Sequence, residues 1–119
     1  MTARAEVKRL NELPTAELAA TIMPVFGTEG PPVKKIWWGA RGIEVFQICD
    51  WLMRDNSEGY RRAWLWKAIA RALHLLADAG LIENARRWTR VGAIAAALQP
   101  TELGRTALEE GTVREHLGM

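Results

Sequence analysis

The stretch WLWKAIARALHLLADAGLIE, residues 64–83, decides the fold prediction for this chain. Four of its polar side chains are spaced by four, three and four residues, which places them on one face of a helix. They are Lys67, Arg71, His74 and Asp78. The apolar side chains of the same stretch fall on another face, and these are Leu65, Ile69, Ala72, Leu73 and Leu76. The pattern predicts an amphipathic helix that ends at Gly80, a residue suited to helix termination.

A strand, a hairpin loop and a returning strand are predicted after this helix. Leu81 and Ile82 begin the first strand, and ENARRWTRVG, residues 83–92, forms a polar hairpin loop. The segment AIAAALQP, residues 93–100, is rich in alanine, which favours a helix. We predict a strand there that ends at Pro100, because the hairpin needs a partner strand. The alternation of Ile94, Ala96 and Leu98 with the alanines at positions 93, 95 and 97 allows such a strand to pack closely on a helix. TELGRTALEE, residues 101–110, then predicts a final helix ended by Gly111, with a short polar tail.

The N-terminal part of the chain predicts two helices and a linker. Residues 1–13 predict a short polar helix or a frayed arm, with Val7 and Leu10 as apolar anchors. A second helix starts at Pro14-Thr15, where proline loses no needed hydrogen bond, and ends before Pro24. GTEGPP, residues 27–32, is a turn-rich linker and the expected internal boundary.

The middle of the chain predicts a further helix from Gly42 to Arg54, with Cys49 on its apolar side as a buried, inert thiol. Asp55 or Ser57 is the expected N-cap of the next helix. No Gly or Pro interrupts residues 60–79. This segment is therefore either one long helix or two helices that meet near residues 64–66.

The composition predicts a single soluble domain without a metal or another cofactor. A chain of 119 residues is long enough for one core. No apolar run approaches the ~20 residues of a membrane span, and MTARAEVKRL lacks the apolar core of a signal peptide, so we expect a cytoplasmic protein with no membrane contact. The single cysteine excludes an intrachain disulfide. Because the two histidines are far apart in the sequence, we do not expect a structural metal site.

The charge is distributed unevenly along the chain. Residues 61–90 carry seven Arg or Lys and two acids, whereas residues 91–119 carry two Arg and four acids. Such asymmetry favours a basic surface suited to a polyanion. A solvated helix face that happens to be basic would give the same count, so charge alone leaves both interpretations open.

Two phrases of the sequence resemble winged helix-turn-helix regulators of the MarR and PadR kind. They are LHLLADAGLIE, residues 73–83, and ALQPTELGRTALEEG, residues 97–111. In those families a recognition helix ends in a similar phrase, a basic wing follows, and an LTP-x-GR phrase begins the next helix. The resemblance covers about residues 42–111. It implies a mainly α fold with a small β-hairpin wing (α+β), with residues 41–119 as the winged-helix domain. Residues 1–40 lie outside the resemblance, and we expect them to form an N-terminal helical arm that is a candidate for dimerisation.

The resemblance also implies roles for individual residues. Lys67 and Arg71 would face the major groove, where Arg is the commonest specific reader of guanine. His74, one turn further along, would be exposed or close to a phosphate. Arg61 and Arg62 would contact phosphates near the start of the helix.

On the wing, Arg86, Arg87 and Arg90 would lie along the DNA backbone or in the minor groove, and Trp88 would pack beneath the wing or wedge against a sugar. The implied function is sequence-specific binding of double-stranded DNA by a transcriptional regulator. We expect a homodimer that reads two half-sites related by a two-fold axis.

An alternative is a winged-helix module that binds another protein through its tryptophans, residues 37, 38, 51, 64, 66 and 88. Exposure of Trp64 or Trp66 on a flat surface beside Lys67 would favour this alternative, and burial of both would favour DNA. Adjacent Trp37 and Trp38 cannot both face one core from a strand, so one of them is expected to meet a dimer partner or the N-terminal helix rather than a ligand.

An enzyme is not predicted, because no nucleophile motif, glycine-rich phosphate loop or metal-ligand cluster is present. His74 and Asp78 have the spacing of a base and its orienting acid. A solvated pair of helix residues explains the same spacing.

Overall fold

The computed structural model describes residues 2–28, 30–31, 34–35, 41–84 and 97–119. Within these ranges the chain is mainly helical with a small antiparallel β component, which confirms the predicted class. The helices are α1 (Ala3–Glu12), α2 (Thr15–Ile22), α3 (Val45–Leu52), α4 (Trp66–Asp78), α5 (Glu102–Glu110) and α6 (Val113–His116). The strands are β1 (Lys34–Lys35), β2 (Arg41–Gly42), β3 (Ile82–Asn84) and β4 (Leu98–Pro100). Short 3-10 turns occupy Met23–Phe26 and Arg62–Trp64.

Helix α4 lies at the centre of the fold, with its apolar face packed against α2 and α3. The predicted apolar stripe is confirmed, since Ile69, Leu73 and Leu76 are fully buried, as is Leu65 just before the helix. Full burial of one such aliphatic side chain is worth about 1.5–3 kcal/mol relative to exposure. The sequence periodicity of α4 therefore fixes which face turns inward.

The small sheet is compatible with a winged-helix fold. Strands β3 and β4 are antiparallel, with Ile82 opposite Pro100 and Asn84 opposite Leu98. Ile43, which follows β2, exchanges two backbone hydrogen bonds with Leu98, of 2.8 and 2.9 Å. A short extended segment before α3 thus lies beside the strand that returns after α4.

The starts of two helices differ from the prediction. Gly42 belongs to β2, where a Cβ would lie 2.4 Å from the carbonyl carbon of Ala97, so the close approach of the two strands requires glycine. Helix α3 begins only at Val45, with a capping box between Glu44 and Gln47.

The predicted N-caps Asp55 and Ser57 are wrong, because α4 starts at Trp66 with Leu65 at the N-cap position. For residues 60–79 the sequence predicts one long helix or two helices that meet near residues 64–66, and the structure has two separate helical segments. A 3-10 turn ends at Trp64, and the α-helix starts two residues later.

The end of α4 and the start of α5 are joined by hydrogen bonds. The Thr101 hydroxyl donates to the carbonyl of Gly80 at 2.6 Å and accepts from the amide of Gly104 at 3.0 Å. The Thr101 amide donates to the carbonyl of Leu81 at 3.1 Å. The two phrases that carry the family resemblance therefore contact each other in space.

The N-terminal helices share the core of the remaining chain. Leu10 of α1, Ile22 of α2 and Met23 belong to the same cluster of buried side chains as Ile69 and Leu73 of α4. Among the described residues, one core therefore spans the predicted boundary between residues 1–40 and 41–119.

The C-terminal segment, predicted as a polar tail, contains helix α6. Arg114 of α6 forms a bidentate ion pair with Glu17 of α2, in which its two terminal nitrogens donate to the two carboxylate oxygens at 2.9 and 3.0 Å. No helix in the described ranges combines the length and the apolar character needed to cross a membrane.

The contact between α5 and Leu81 leads to a test by glycine substitution. A Cβ on Gly104 would lie 1.9 Å from the carbonyl oxygen of Leu81, whereas one on Gly27 would meet its nearest atom at 3.4 Å. Helix propensity alone predicts that Gly104→Ala stabilises α5. We expect instead a loss of about 1–3 kcal/mol in the free energy of unfolding, measured in urea, because the helix must move away from Leu81.

The control Gly27→Ala is expected to change the free energy of unfolding by less than about 0.5 kcal/mol. A Gly104→Ala protein at least as stable as the unmodified chain would contradict the proposed contact.

Candidate nucleic-acid interface

The predicted polar face of α4 is exposed to solvent. Lys67, Arg71, His74 and Asp78 are all exposed, while the residues between them are buried or half-buried. From Lys67 to Asp78 the stripe spans about 16 Å along the helix axis at the usual rise per residue. The structure thus brings three of the predicted DNA-binding side chains, those of residues 67, 71 and 74, onto one accessible surface.

Neither Lys67 nor Arg71 is neutralised by an acid within the described ranges. The ion pairs found there join Lys8 to Glu12, Arg9 to Glu6, Arg62 to Asp50 and Arg114 to Glu17. The Lys67 ammonium lies 5.9 Å from the ring centre of Trp66, a cation–π contact that leaves its charge in place. Both side chains can therefore bind an external anion without first breaking a salt bridge to a described residue.

Arg61 and Arg62, which precede α4, differ in their partners. The guanidinium of Arg62 donates to both carboxylate oxygens of Asp50, at 3.1 and 2.6 Å, and lies 5.3 Å from the ring centre of Phe46. The hydrogen bond to Asp50 raises the pKa of Arg62. Arg61 is exposed and belongs to none of the described ion pairs. Of the two predicted phosphate contacts, Arg61 is thus available, and Arg62 is engaged by Asp50.

The predicted wing arginines, Arg86, Arg87 and Arg90, lie outside the described residues, and so do Trp88 and the pair Trp37-Trp38. The described structure ends on either side of the predicted wing at Asn84 and Ala97, where the Ala97 amide donates to Oδ1 of Asn84 at 2.9 Å. The role of the three wing arginines stays a prediction.

Trp64 and Trp66 are both half-buried and pack against the core cluster. A cation lies near each ring, because the Arg4 guanidinium is 5.7 Å from the ring centre of Trp64 and Lys67 is beside Trp66. The two rings are therefore neither fully buried nor fully exposed. Their exposure therefore does not decide between DNA and a protein partner.

A contact that the sequence did not reveal joins α1 to the start of α4. The side-chain amide of Asn11 donates to the backbone carbonyl of Trp64 at 3.0 Å, and Arg4 lies over the ring of the same residue. Arg4, Lys8 and Asn11 are spaced by four and three residues, which identifies a helix face. The spacing cannot show that this face adjoins residue 64.

Other sites for chemistry are sparse in the described part of the chain. No three His, Cys, Asp or Glu side chains are grouped there in a way that could hold a metal ion. An open cleft of about 530 Å³ lies between the Met23–Phe26 turn and α5, lined in part by Phe26, Leu108, Arg105 and Glu109. Its described lining contains neither histidine nor cysteine.

The buried state of Cys49 gives a labelling test. The thiol is fully buried, and burial raises its pKa to about 11. Because only the thiolate reacts, we expect a disulfide reagent at pH 8 to label the folded protein at least roughly 100-fold more slowly than the urea-unfolded chain. The rate is read from absorbance, with Cys49→Ala as the blank. Equal rates would contradict the burial of this thiol.

No model of a known protein family matches this chain, and no curated protein or solved structure shows significant similarity to it. The resemblance to MarR and PadR regulators therefore stays a hypothesis that rests on the phrases at residues 73–83 and 97–111.

Proposed function

We propose that this protein is a regulator that binds double-stranded DNA in a sequence-specific manner, with α4 as its recognition helix. One observation carries the proposal. Lys67 and Arg71 are exposed, have no acidic partner within the described ranges, and project from a helix whose opposite face is buried in the core.

The dimensions of α4 suit a duplex. Its 13 residues span about 20 Å, and a major groove about 12 Å wide admits a helix. In the proposed complex Arg71 donates to a guanine edge, and Lys67 binds a base or a phosphate. His74 lies one turn further along, close to the sugar–phosphate backbone.

A protein partner is supported less well by the same surface. Lysine and aspartate are depleted at protein–protein interfaces, whereas Lys67 and Asp78 both lie on the exposed face of α4. Trp64 and Trp66 are half-buried, and each ring has a cation close to it, Arg4 at 5.7 Å and Lys67 at 5.9 Å from the ring centre. The charge of this surface therefore favours a polyanion.

The proposal includes the other parts of the predicted interface. Arg61 binds a phosphate near the start of α4, and Arg86, Arg87 and Arg90 contact the backbone or the minor groove from the wing. In this proposal the protein acts in the cytoplasm as a homodimer that binds two half-sites. Sedimentation equilibrium of the free protein measures whether it is a dimer.

A salt series with a labelled duplex of arbitrary sequence tests the polyanion part. For each phosphate contact, the slope of log affinity against log salt concentration is about −0.9. We expect Lys67→Gln/Arg71→Gln to make the slope shallower by up to about 1.8. The control Arg105→Gln removes an exposed charge from α5 and is expected to leave the slope unchanged. Absence of binding by the unmodified protein at about 50 mM salt would overturn the proposal.

Sequence readout is tested by Arg71→Lys on a site selected from a random duplex library. Lysine keeps the charge but cannot donate two parallel hydrogen bonds to guanine. We expect the selected site to lose about 1–3 kcal/mol of binding free energy, while affinity for unrelated duplexes stays the same. An equal effect on all sequences would show that Arg71 contacts only the backbone.

A further inference from the structure

We infer that α1 forms part of the DNA interface, with Arg4 and Lys8 contacting phosphates of the duplex next to the segment that α4 reads. This inference rests on the proposed function, since it assumes that α4 docks on DNA. It gives the N-terminal helix a binding role that its sequence did not predict.

The position of α1 is set by two contacts to one residue. Arg4 lies over the ring of Trp64, and Asn11 donates to the carbonyl of Trp64. Trp64 precedes Lys67, the first exposed cation of α4, by three residues. The face of α1 that carries Arg4, Lys8 and Asn11 therefore adjoins the start of the recognition helix.

The other cation and the apolar side chains of α1 are either paired or buried, so the face with Arg4 and Lys8 is the one that can bind an anion. Ala3, Val7 and Leu10 are buried in the core. Arg9, the third cation of the helix, is paired with Glu6 on a different face, and this hydrogen bond lowers the pKa of the Glu6 carboxyl. Arg4 and Lys8 are exposed side by side on the face next to Trp64.

Lys8 has a weak intramolecular partner. Its ammonium lies 4.0 Å from a carboxylate oxygen of Glu12, and the two side chains are 76% and 66% exposed. Pairs as exposed as this contribute little, so a DNA phosphate can displace Glu12 at small cost. Glu12 therefore reduces, but does not abolish, the attraction of this face for DNA.

The spacing of the two cations suits a phosphate backbone. Residues four apart in a helix are about 6 Å apart along its axis, and each DNA strand carries one phosphate per about 3.4 Å of duplex axis. Arg4 and Lys8 can thus bind phosphates about two nucleotides apart on one strand. Such contacts position a protein on the duplex without reading its sequence.

The test compares salt series for five variants on labelled duplexes of unrelated sequence. Arg4→Gln/Lys8→Gln removes the proposed contacts, and Lys67→Gln/Arg71→Gln removes those of α4. Lys8→Gln alone leaves the stacking of Arg4 on Trp64 intact, and Arg105→Gln is the charge control. Glutamine keeps the helix propensity of these positions, and thermal unfolding by circular dichroism verifies each fold.

We expect the slope to become shallower by about 1.8 for Arg4→Gln/Lys8→Gln and by about 0.9 for Lys8→Gln, with no change for Arg105→Gln. Glu12→Gln removes the competing carboxylate and is expected to strengthen binding. The same loss on every duplex sequence is expected for the α1 variants.

Two outcomes separate this inference from the function beneath it. If the slope becomes shallower for Lys67→Gln/Arg71→Gln but for neither Arg4→Gln/Lys8→Gln nor Lys8→Gln, the inference about α1 is overturned and the proposed function stands. If the slope becomes shallower only for the two variants that lack Lys8, or if the unmodified protein does not bind, the proposed role of α4 is overturned.

Discussion

The burial of one face of α4 against α2 and α3 is the contact on which the rest of the structure depends. Ile69, Leu73 and Leu76 are fully buried and lie on one stripe of the helix. Because a 3.6-residue period fixes the opposite face once this stripe is buried, Lys67 and Arg71 must point into solvent. The same packing that stabilises the core thus creates the exposed basic surface. Rotating the helix to hide those charges would expose its apolar stripe.

Contacts to distant residues hold both ends of α4. At its C-terminal end, Thr101 bonds to Gly80 and Leu81, and Gly104 lets α5 approach closely. Before its N-terminal end, Asn11 bonds to the carbonyl of Trp64. A helix held in this way loses little conformational freedom when it binds a ligand, which lowers the cost of association. The folding role of α1 and its proposed role on DNA are consistent, because both depend on its position beside Trp64.

Local signals predicted α4 and α5 well. The periodicity of residues 64–79, the glycine at position 80 that follows α4 and the glycine at position 111 that ends α5 each act within a few residues. The start of α4 could not be predicted in the same way, because no capping side chain marks it and Asn11, which bonds to the carbonyl of Trp64, is 53 residues away in the sequence. The misplaced start of α3 has a similar cause, because Gly42 is in a strand that approaches Ala97. The engagement of Arg62 by Asp50 joins two elements whose relative placement no sequence pattern contained.

The most direct test of DNA binding by α4 is a map of backbone amide chemical shifts, recorded by nuclear magnetic resonance while a short duplex is added to the labelled protein. We expect the largest changes at Lys67, Arg71 and His74 on the exposed face of α4, with smaller changes at Arg4 and Lys8 of α1. Amides of α6, which is paired with α2 and carries none of the proposed contacts, serve as the internal reference. Changes confined to α5 and α6, or no changes at all, would contradict the proposal that α4 binds DNA.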